Sequence, residues 1–198
     1  MKYIDISEEE LNNWLKEHLD EKRMNHSLGT AECAQELALK YNQDPKKAYL
    51  GGLLHDCAKC FSKEKLWQII EENIDIKQGE KMSPKTWHAP VSAYIAEHEL
   101  KVTDPEIIRA IRWHTVGREN MTDFEKIIFI ADKVETRTRY KHYLENIREL
   151  LKEENGLDKA MLACYKETIK SLVDRNLIIS PLTIYIYNQL QEQINNVN

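Results

Sequence analysis

The sequence predicts an all-α protein of about eight to ten helices. Glycine and proline are scarce, with six and five among 198 residues. The turn signals are those that begin helices, and no long segment alternates apolar and polar residues as a half-buried strand does. Two short segments, 178–179 and 183–187, have a strand-like composition, but they flank Pro181 and do not change the predicted class.

The predicted helices follow from their start signals. Ser7 and Thr122 each begin a capping-box pattern, with a glutamate three residues later. Asp44 and Asp104 each precede a proline, which places an N-cap before a proline at the first helical position. The predicted helices cover about 7–19, 27–41, 44–57, 62–72, a segment from 90, a segment from 104, 122–134, 140–154, 157–174 and a segment from 181.

Composition bounds the function. Residues 1–198 are expected to form one domain, because no linker, repeat or low-complexity stretch interrupts them. The net charge of −5 argues against a nucleic-acid partner. The longest apolar run, 127–131, is far too short for a membrane span, and the acidic first residues do not form a secretory signal. We therefore expect a cytoplasmic protein whose four cysteines are free thiols.

Two parts of the chain carry an unusual combination of metal-binding side chains. His55 and Asp56 are adjacent, at the expected end of an apolar helix, and Asp132 lies in the middle of another apolar helix. A carboxylate in an apolar helix is costly unless it is paired or binds a metal. Imidazole nitrogen and carboxylate oxygen together suit Fe, Mn, Zn or Ni and suit Ca poorly.

Three further histidines lie near expected helix ends. His26 and His88 come just before a predicted helix, and His114 comes where one ends. Backbone N–H groups at a helix start favour anions, so His26 and His88 are expected near a phosphate.

The order His26, His55-Asp56, Asp132 resembles the H…HD…D signature of HD-domain metal-dependent phosphohydrolases. Flanking segments are similar to the YqeK-type branch of that superfamily, the symmetrical bis(5'-nucleosyl)-tetraphosphatases. The resemblance covers roughly residues 24–180. The segments that carry it are 53–59, 88–91, 110–118 and 125–132.

The resemblance implies an HD-domain helical bundle that hydrolyses dinucleoside tetraphosphates, chiefly diadenosine tetraphosphate, to two nucleoside diphosphates by a metal-activated water. It implies a divalent metal, with iron as the first candidate, Mn, Zn, Ni or Co as the others, and one or two ions. The implied ligands are His26, His55, Asp56 and Asp132.

The resemblance also implies the residues that meet the substrate. Lys59, His88 and His114 are the expected catalytic residues, with His88 or His114 as the proton donor to the leaving group. Lys59 lies about one helical turn after His55, so it reaches the same site if helical geometry continues. The expected polyphosphate contacts comprise His26, Lys59, His88, His114, Thr115 and Asp132.

The chain departs from the family pattern after Asp132. Relatives often read Glu-Pro-x-Arg there, and the arginine position is Thr138 in this chain. Arg137 and Arg139 flank it, and either can supply the missing charge. A late nucleotide-contacting loop aligns with residues from Arg175 to Ser180 only loosely.

Other interpretations remain open. Another nucleotidase or phosphodiesterase can use the same metal site, and a nucleotide-binding sensor would bind without turnover. Cys57-x-x-Cys60 is interpreted as incidental, because no second pair completes a zinc site. The apolar C-terminal helices would support a homodimer. A basic region is either a polyphosphate entrance or a set of solvated helix faces; it comprises Arg109, Arg112, Arg118, Lys133, Arg137, Arg139 and Lys141.

Overall fold

Residues 2–139 and 143–197 are described in a computed structural model of the chain. These residues form eleven α-helices and one 3₁₀-helix, and their only β-pairing outside helices is an isolated bridge between Ile4 and Val102. The α-helices are α1 Glu8–His18, α2 Glu21–Lys40, α3 Pro45–Leu54, α4 Lys63–Asn73, α5 Gln78–Lys81, α6 His88–His98, α7 Pro105–Trp113, α8 Asp123–Val134, α9 Tyr143–Leu150, α10 Gly156–Asp174 and α11 Pro181–Val197.

The all-α prediction is confirmed. The described residues contain one helix more than the upper expectation of ten, because the four-residue α5 has no start signal in the sequence. The strand-like segment 183–187 lies within α11, so the helix begun by Pro181 overrides its local composition. Residues 140–142 of the predicted helix 140–154, including Lys141, lie outside the described residues.

Helix starts follow the capping signals, with two corrections, and the smaller is that α6 begins at His88, two residues before the predicted start at Pro90. Both predicted capping boxes form, at Ser7 and Thr122. Helix α2, however, begins six residues earlier than predicted, because Asp20 accepts a hydrogen bond from the Arg23 amide at 2.7 Å and acts as its N-cap. His26 therefore lies inside α2, and the prediction that it stands at a helix start is wrong.

Helix α8 is the centre of the fold and packs against α2, α3, α7 and α10. Its stretch from Ile127 to Ala131 is almost wholly inaccessible to solvent. Helices α2 and α3 approach closely at Gly52, where a Cβ atom would lie 2.8 Å from the backbone of Thr30 and Ala31. This packing brings the end of α3 and the middle of α2 to the C-terminal half of α8.

Among the described residues, no helix is both long and apolar enough to cross a membrane.

Candidate active site

Five parts of the fold deliver histidine and aspartate side chains to one place. His26 comes from the second turn of α2, and Asp132 comes from α8. His55 and Asp56 directly follow α3, His88 is the first residue of α6, and His114 caps the C-terminus of α7. Apart from the partly accessible Asp132, each of these side chains is buried. We call these six residues the His/Asp cluster.

The predicted metal ligands lie together within the cluster. Ligand atoms of His26, His55 and Asp132 all lie within 4.8 Å of one another, and those of His55, Asp56 and His114 do so as well. Nε2 of His26 is 2.9 Å from Oδ1 of Asp132. Nε2 of His55 is 3.5 Å from Oδ2 of Asp56 and 3.6 Å from Oδ1 of Asp132. The sequence-predicted set is therefore assembled around His55.

Backbone carbonyls orient two of the imidazoles. Nδ1 of His55 lies 2.6 Å from the Gly52 carbonyl oxygen, and Nδ1 of His114 lies 2.7 Å from that of Ile111. A carbonyl oxygen only accepts hydrogen bonds, so the proton of each neutral ring is assigned to Nδ1. Each Nε2 then directs a lone pair into the cluster, which is the form that binds a metal.

Buried acceptor atoms that lack hydrogen-bond partners indicate whether a cation would fit in the His/Asp cluster. Within the part of the chain that the structure describes, Nε2 of His55 and Oδ1 of Asp56 are buried and make no hydrogen bond. Oδ1 of Asp56 has His88 Nε2 at 3.1 Å and His114 Nε2 at 3.3 Å, which are ion-pair distances without hydrogen-bond angles. Such buried acceptors are costly unless something satisfies them. A divalent cation would satisfy both, and the donor set suits it.

The carboxylates of the cluster are ionised. Burial raises the pKa of Asp56, but neighbouring His55 together with His114 and His88 outweighs that effect and holds the pKa well below its ordinary value. Burial also raises the pKa of Asp132, and Lys133 with other neighbours lowers it well below the ordinary value. Two buried negative charges are thus available to a cation.

Burial keeps two cluster histidines neutral. It lowers the pKa of His114 to about 4, although Asp56 opposes the shift. It lowers the pKa of His88 in the same direction. Since neutral imidazole is the ligand and proton-acceptor form, both rings are ready for either role near neutral pH.

Glu135 is a site residue that sequence reasoning missed. It follows α8 directly and is completely buried. Its Oε1 lies 3.1 Å from Nδ1 of His26, on the opposite side of that ring from Asp132. The local signal was its position three residues after Asp132, about one helical turn onward.

Several cationic side chains adjoin the cluster. Nζ of Lys59 lies 2.9 Å from Nε2 of His88, and burial lowers the pKa of that lysine. The backbone hydrogen bonds of residues 55–59 are those of helix-like turns, which bring Lys59 to the cluster. Nζ of Lys133 donates to the His114 carbonyl at 3.1 Å. Arg23, which sequence reasoning also missed, places Nη1 2.5 Å from Oδ2 of Asp56.

The two arginines that flank Thr138 have different surroundings. Arg139 donates from Nη2 to Oδ1 of Asp132 at 3.1 Å, so it reaches the cluster. Arg137 forms an ion pair with Glu32 on the surface. Thr138 itself donates its hydroxyl to Glu135. The basic region is therefore divided. Arg139 and Lys133 lie at the cluster, whereas Arg109 and Arg118 lie elsewhere and form ion pairs with Glu125.

The remaining predicted residues lie less centrally. Thr115 follows His114, and its hydroxyl is buried without a described hydrogen-bond partner. Arg175 donates to the Ser171 carbonyl at 3.0 Å and lines a groove of about 200 Å³ that also contains Lys133. Ser180 precedes α11, and its described hydrogen bonds are to that helix.

The paired cysteine motif forms neither a disulfide nor a described metal site. Cys57 is buried, its Sγ lies 3.6 Å from the Ser92 carbonyl oxygen, and burial raises its pKa to about 12. Cys60 is exposed, and both cysteines are free thiols.

Comparison with known proteins agrees with this geometry. The HD domain model matches residues 23–137, which contain all four predicted ligands. A helical bundle with a buried His/Asp cluster defines the HD class of metal-dependent hydrolases, and this chain belongs to the HD domain family, in its branch of symmetrical bis(5'-nucleosyl)-tetraphosphatases.

Its relatives cover nearly the whole chain. A symmetrical bis(5'-nucleosyl)-tetraphosphatase of Bacillus subtilis is 36% identical over 93% of this chain and 98% of the relative. That of Staphylococcus aureus is 38% identical over 90% and 93%. A crystal structure from Clostridium acetobutylicum, titled a predicted HD superfamily hydrolase involved in NAD metabolism, superposes with a TM-score of 0.89 at 33% identity, covering 95% of this chain and 98% of that one.

Proposed function

We propose that this chain hydrolyses dinucleoside tetraphosphates symmetrically, converting diadenosine tetraphosphate to two ADP. The observation that carries the proposal is the His/Asp cluster, in which buried acceptors of His55 and Asp56 lack hydrogen-bond partners while cationic side chains adjoin them. The names of relatives that align with at least nine-tenths of the chain supply the substrate class.

The proposed metal ligands are His26, His55, Asp56 and Asp132. A bound divalent cation would lower the pKa of a water and polarise a phosphoryl oxygen. Iron is the proposed metal, and Mn, Zn, Ni and Co suit the same donors.

The chain's own cations are proposed to hold the polyphosphate. Lys133 and Arg139 pair with Asp132, and Lys59 lies against His88 within the field of both aspartates, so these cations offset the negative charge that would otherwise repel the substrate. Charge-assisted hydrogen bonds from these groups would also stabilise charge that develops on phosphoryl oxygens. A local group of cations attracts a polyphosphate in this way even though the whole chain carries a net negative charge.

His88 is the proposed proton donor to the leaving nucleoside diphosphate. Nδ1 of His114 already donates a hydrogen bond to the Ile111 carbonyl oxygen, whereas both nitrogens of His88 lie within 3.2 Å of Lys59 Nζ. Lys59, whose pKa is lowered by burial, would pass a proton to one nitrogen of the neutral His88 ring as the other nitrogen gives its proton to the leaving group, so the ring stays neutral and the lysine is the source of the proton.

The test is to incubate anaerobically purified, iron-loaded protein with diadenosine tetraphosphate and to separate the products by anion exchange. ADP as sole product is expected, because attack at an inner phosphorus divides the four phosphates evenly. ATP with AMP would overturn the symmetrical assignment while leaving a metallohydrolase. Binding without products would favour the nucleotide sensor.

Finer expectations accompany the proposal. We expect a cytoplasmic protein and a homodimer formed through the C-terminal helices. The late segment from Arg175 to Ser180 is proposed to contact nucleotide, together with Thr115. Size-exclusion chromatography with light scattering would test the dimer.

A further inference from the structure

We propose that Glu135 is a positioning residue for the metal site, because its carboxylate holds His26 with the ring proton on Nδ1. Gly29 and Thr138 in turn hold that carboxylate in place. The inference rests on the proposed metal site. Its independent support is a set of contacts on the side of His26 that faces away from Asp132.

The Glu135 carboxylate is held on both of its oxygens. Oε2 accepts the backbone N–H groups of Arg137 at 2.6 Å and of Thr138 at 3.0 Å. Oε1 accepts the Thr138 hydroxyl and lies 3.1 Å from Nδ1 of His26. With these partners the carboxylate has a single orientation, and one oxygen is directed at the imidazole.

This orientation decides which histidine nitrogen faces the cluster as a lone pair. A carboxylate that accepts two backbone N–H groups and a hydroxyl acts as an acceptor on both of its oxygens. Nδ1 of His26 must therefore carry a proton toward Glu135. Nε2, which lies 2.9 Å from Asp132, is then the nitrogen that would ligate a metal once the cation takes the place of the proton on that atom.

Gly29 makes the space for this carboxylate. It lies one helical turn after His26, on the same face of α2. A Cβ atom at position 29 would overlap Oε2 of Glu135 and would lie 3.1 Å from Cβ of Arg137. A side chain there would thus push the carboxylate out of its position without touching any metal ligand.

Thr138 holds the Glu135 carboxylate by two hydrogen bonds. The chain has this threonine where the family pattern has an arginine, and its hydroxyl and amide both donate to Glu135. The neighbouring Arg139 contacts Asp132 instead. In this chain Thr138 holds Glu135, and the adjacent Arg139 places its charge beside Asp132.

The experiment measures metal affinity rather than turnover. Zn²⁺ would be titrated into the full chain in competition with a chromophoric chelator, for wild type, Glu135→Gln and Gly29→Ala. In Glu135→Gln the two backbone N–H groups retain the amide oxygen, so the NH₂ group faces His26 and donates to Nδ1. The ring proton then moves to Nε2, and we expect affinity to fall about 10- to 100-fold.

Glu125→Gln is the matched control. Glu125 is equally buried, in the first turn of α8, but it binds Arg109 and Arg118 and contacts no cluster histidine among its described partners. Its Zn²⁺ affinity should equal that of wild type. Gly29→Ala is expected to weaken Zn²⁺ binding with both carboxylates intact, which provides a second route if Glu135→Gln folds poorly.

Nitrogen-15 NMR of the Zn²⁺-loaded wild type gives a second readout, with the His26 proton expected on Nδ1. Wild type that binds Zn²⁺ while Glu135→Gln and Gly29→Ala bind it equally well would overturn this inference alone. Wild type that binds no Zn²⁺ would overturn the proposed metal site and the inference together.

Discussion

Helix α8 carries a completely buried glutamate near its start, Glu125, and another directly after its end, Glu135. Glu125 closes the capping box with Thr122 and accepts hydrogen bonds from Arg118 at 2.6 Å and from Arg109 at 3.3 Å. Both partners are guanidinium groups that stay charged at any ordinary pH. The Glu125 carboxylate is fully compensated within the protein.

The other end of α8 differs in what lies beyond the glutamate. Glu135 bonds to His26, whose second nitrogen faces Asp132, and the cluster beyond contains buried acceptors of His55 and Asp56 without hydrogen-bond partners. The comparison teaches that a buried charge does not by itself indicate a functional site. The distinguishing feature is a network whose last members are unsatisfied and can receive a cation.

The largest expected effect is at the cluster end. Asp132→Asn keeps the side-chain shape but removes one of the two buried negative charges available to a cation. We expect metal content to fall and kcat to drop at least about 100-fold, the scale of losing one charge-stabilising group in an active site. Metal analysis and steady-state kinetics would measure both. Full metal content with wild-type turnover would contradict the assignment of Asp132.

At the other end of the helix, Glu125→Gln should act on stability instead. Removing one partner of a buried ion pair is strongly destabilising, and the partial exposure of both arginines reduces the cost to about 2 kcal/mol. Urea denaturation would measure the loss, and kcat per folded molecule should stay at the wild-type value. A large fall in kcat without a loss of stability would contradict the purely structural role assigned to Glu125.

The arginines after α8 offer a smaller test. Arg139→Ala should raise KM for diadenosine tetraphosphate about tenfold, which corresponds to the loss of one charge-assisted hydrogen bond at a partly exposed position. Arg137→Ala, which removes the surface pair with Glu32, is the matched control and should leave KM unchanged. If Arg137→Ala raised KM more than Arg139→Ala did, the assignment would be reversed.

The smallest effect concerns acid stability near the start of α8. Lys47 pairs with Asp104 at 2.9 Å and with Glu106 at 2.7 Å, and Glu106 accepts the Thr122 hydroxyl. Burial raises the pKa of each carboxyl, but Lys47 and hydrogen bonds lower both below their ordinary values. Their stabilisation is present above the unfolded pKa and is lost as pH falls through the lower folded pKa.

Lys47→Met should therefore flatten the dependence of unfolding free energy on pH below about pH 4, by about 0.5–1 kcal/mol, the range for partly solvated ion pairs. Urea denaturation at pH 7 and at successively lower pH would measure the difference. An identical acid slope in wild type and variant would show that the Lys47 pairs contribute nothing measurable.

Local signals predicted much of this molecule because they act within one or two helical turns. Capping residues such as Ser7 and Thr122 placed helix starts, and the motif containing His55 and Asp56 placed the proposed metal site. The same reasoning missed Asp20 as an N-cap, and therefore put His26 outside its helix. An aspartate is a weak signal when no proline follows it, and only the formed helix shows its hydrogen bond.

Long-range contacts explain the residues that were missed. Glu135 is 109 positions from His26, and Arg23 is 33 positions from Asp56. No periodicity or spacing relates such residues, because their proximity depends on how α2, α3 and α8 pack. The choice between Arg137 and Arg139 was open for the same reason, since the path of the chain after α8 decides which guanidinium contacts Asp132.

The sequence by itself determined the helical class, most helix starts and the identity of the candidate ligands, because these depend on short-range hydrogen bonding and on a recognisable order of histidines and aspartates. Only the tertiary structure decided that Glu135 and Arg23 belong beside those ligands, that Arg139 reaches them and that Glu125 does not. Distant parts of the chain come close where a side chain is absent, at Gly29 against Glu135 and Arg137 and at Gly52 between α3 and α2, and no local pattern in the sequence shows such contacts.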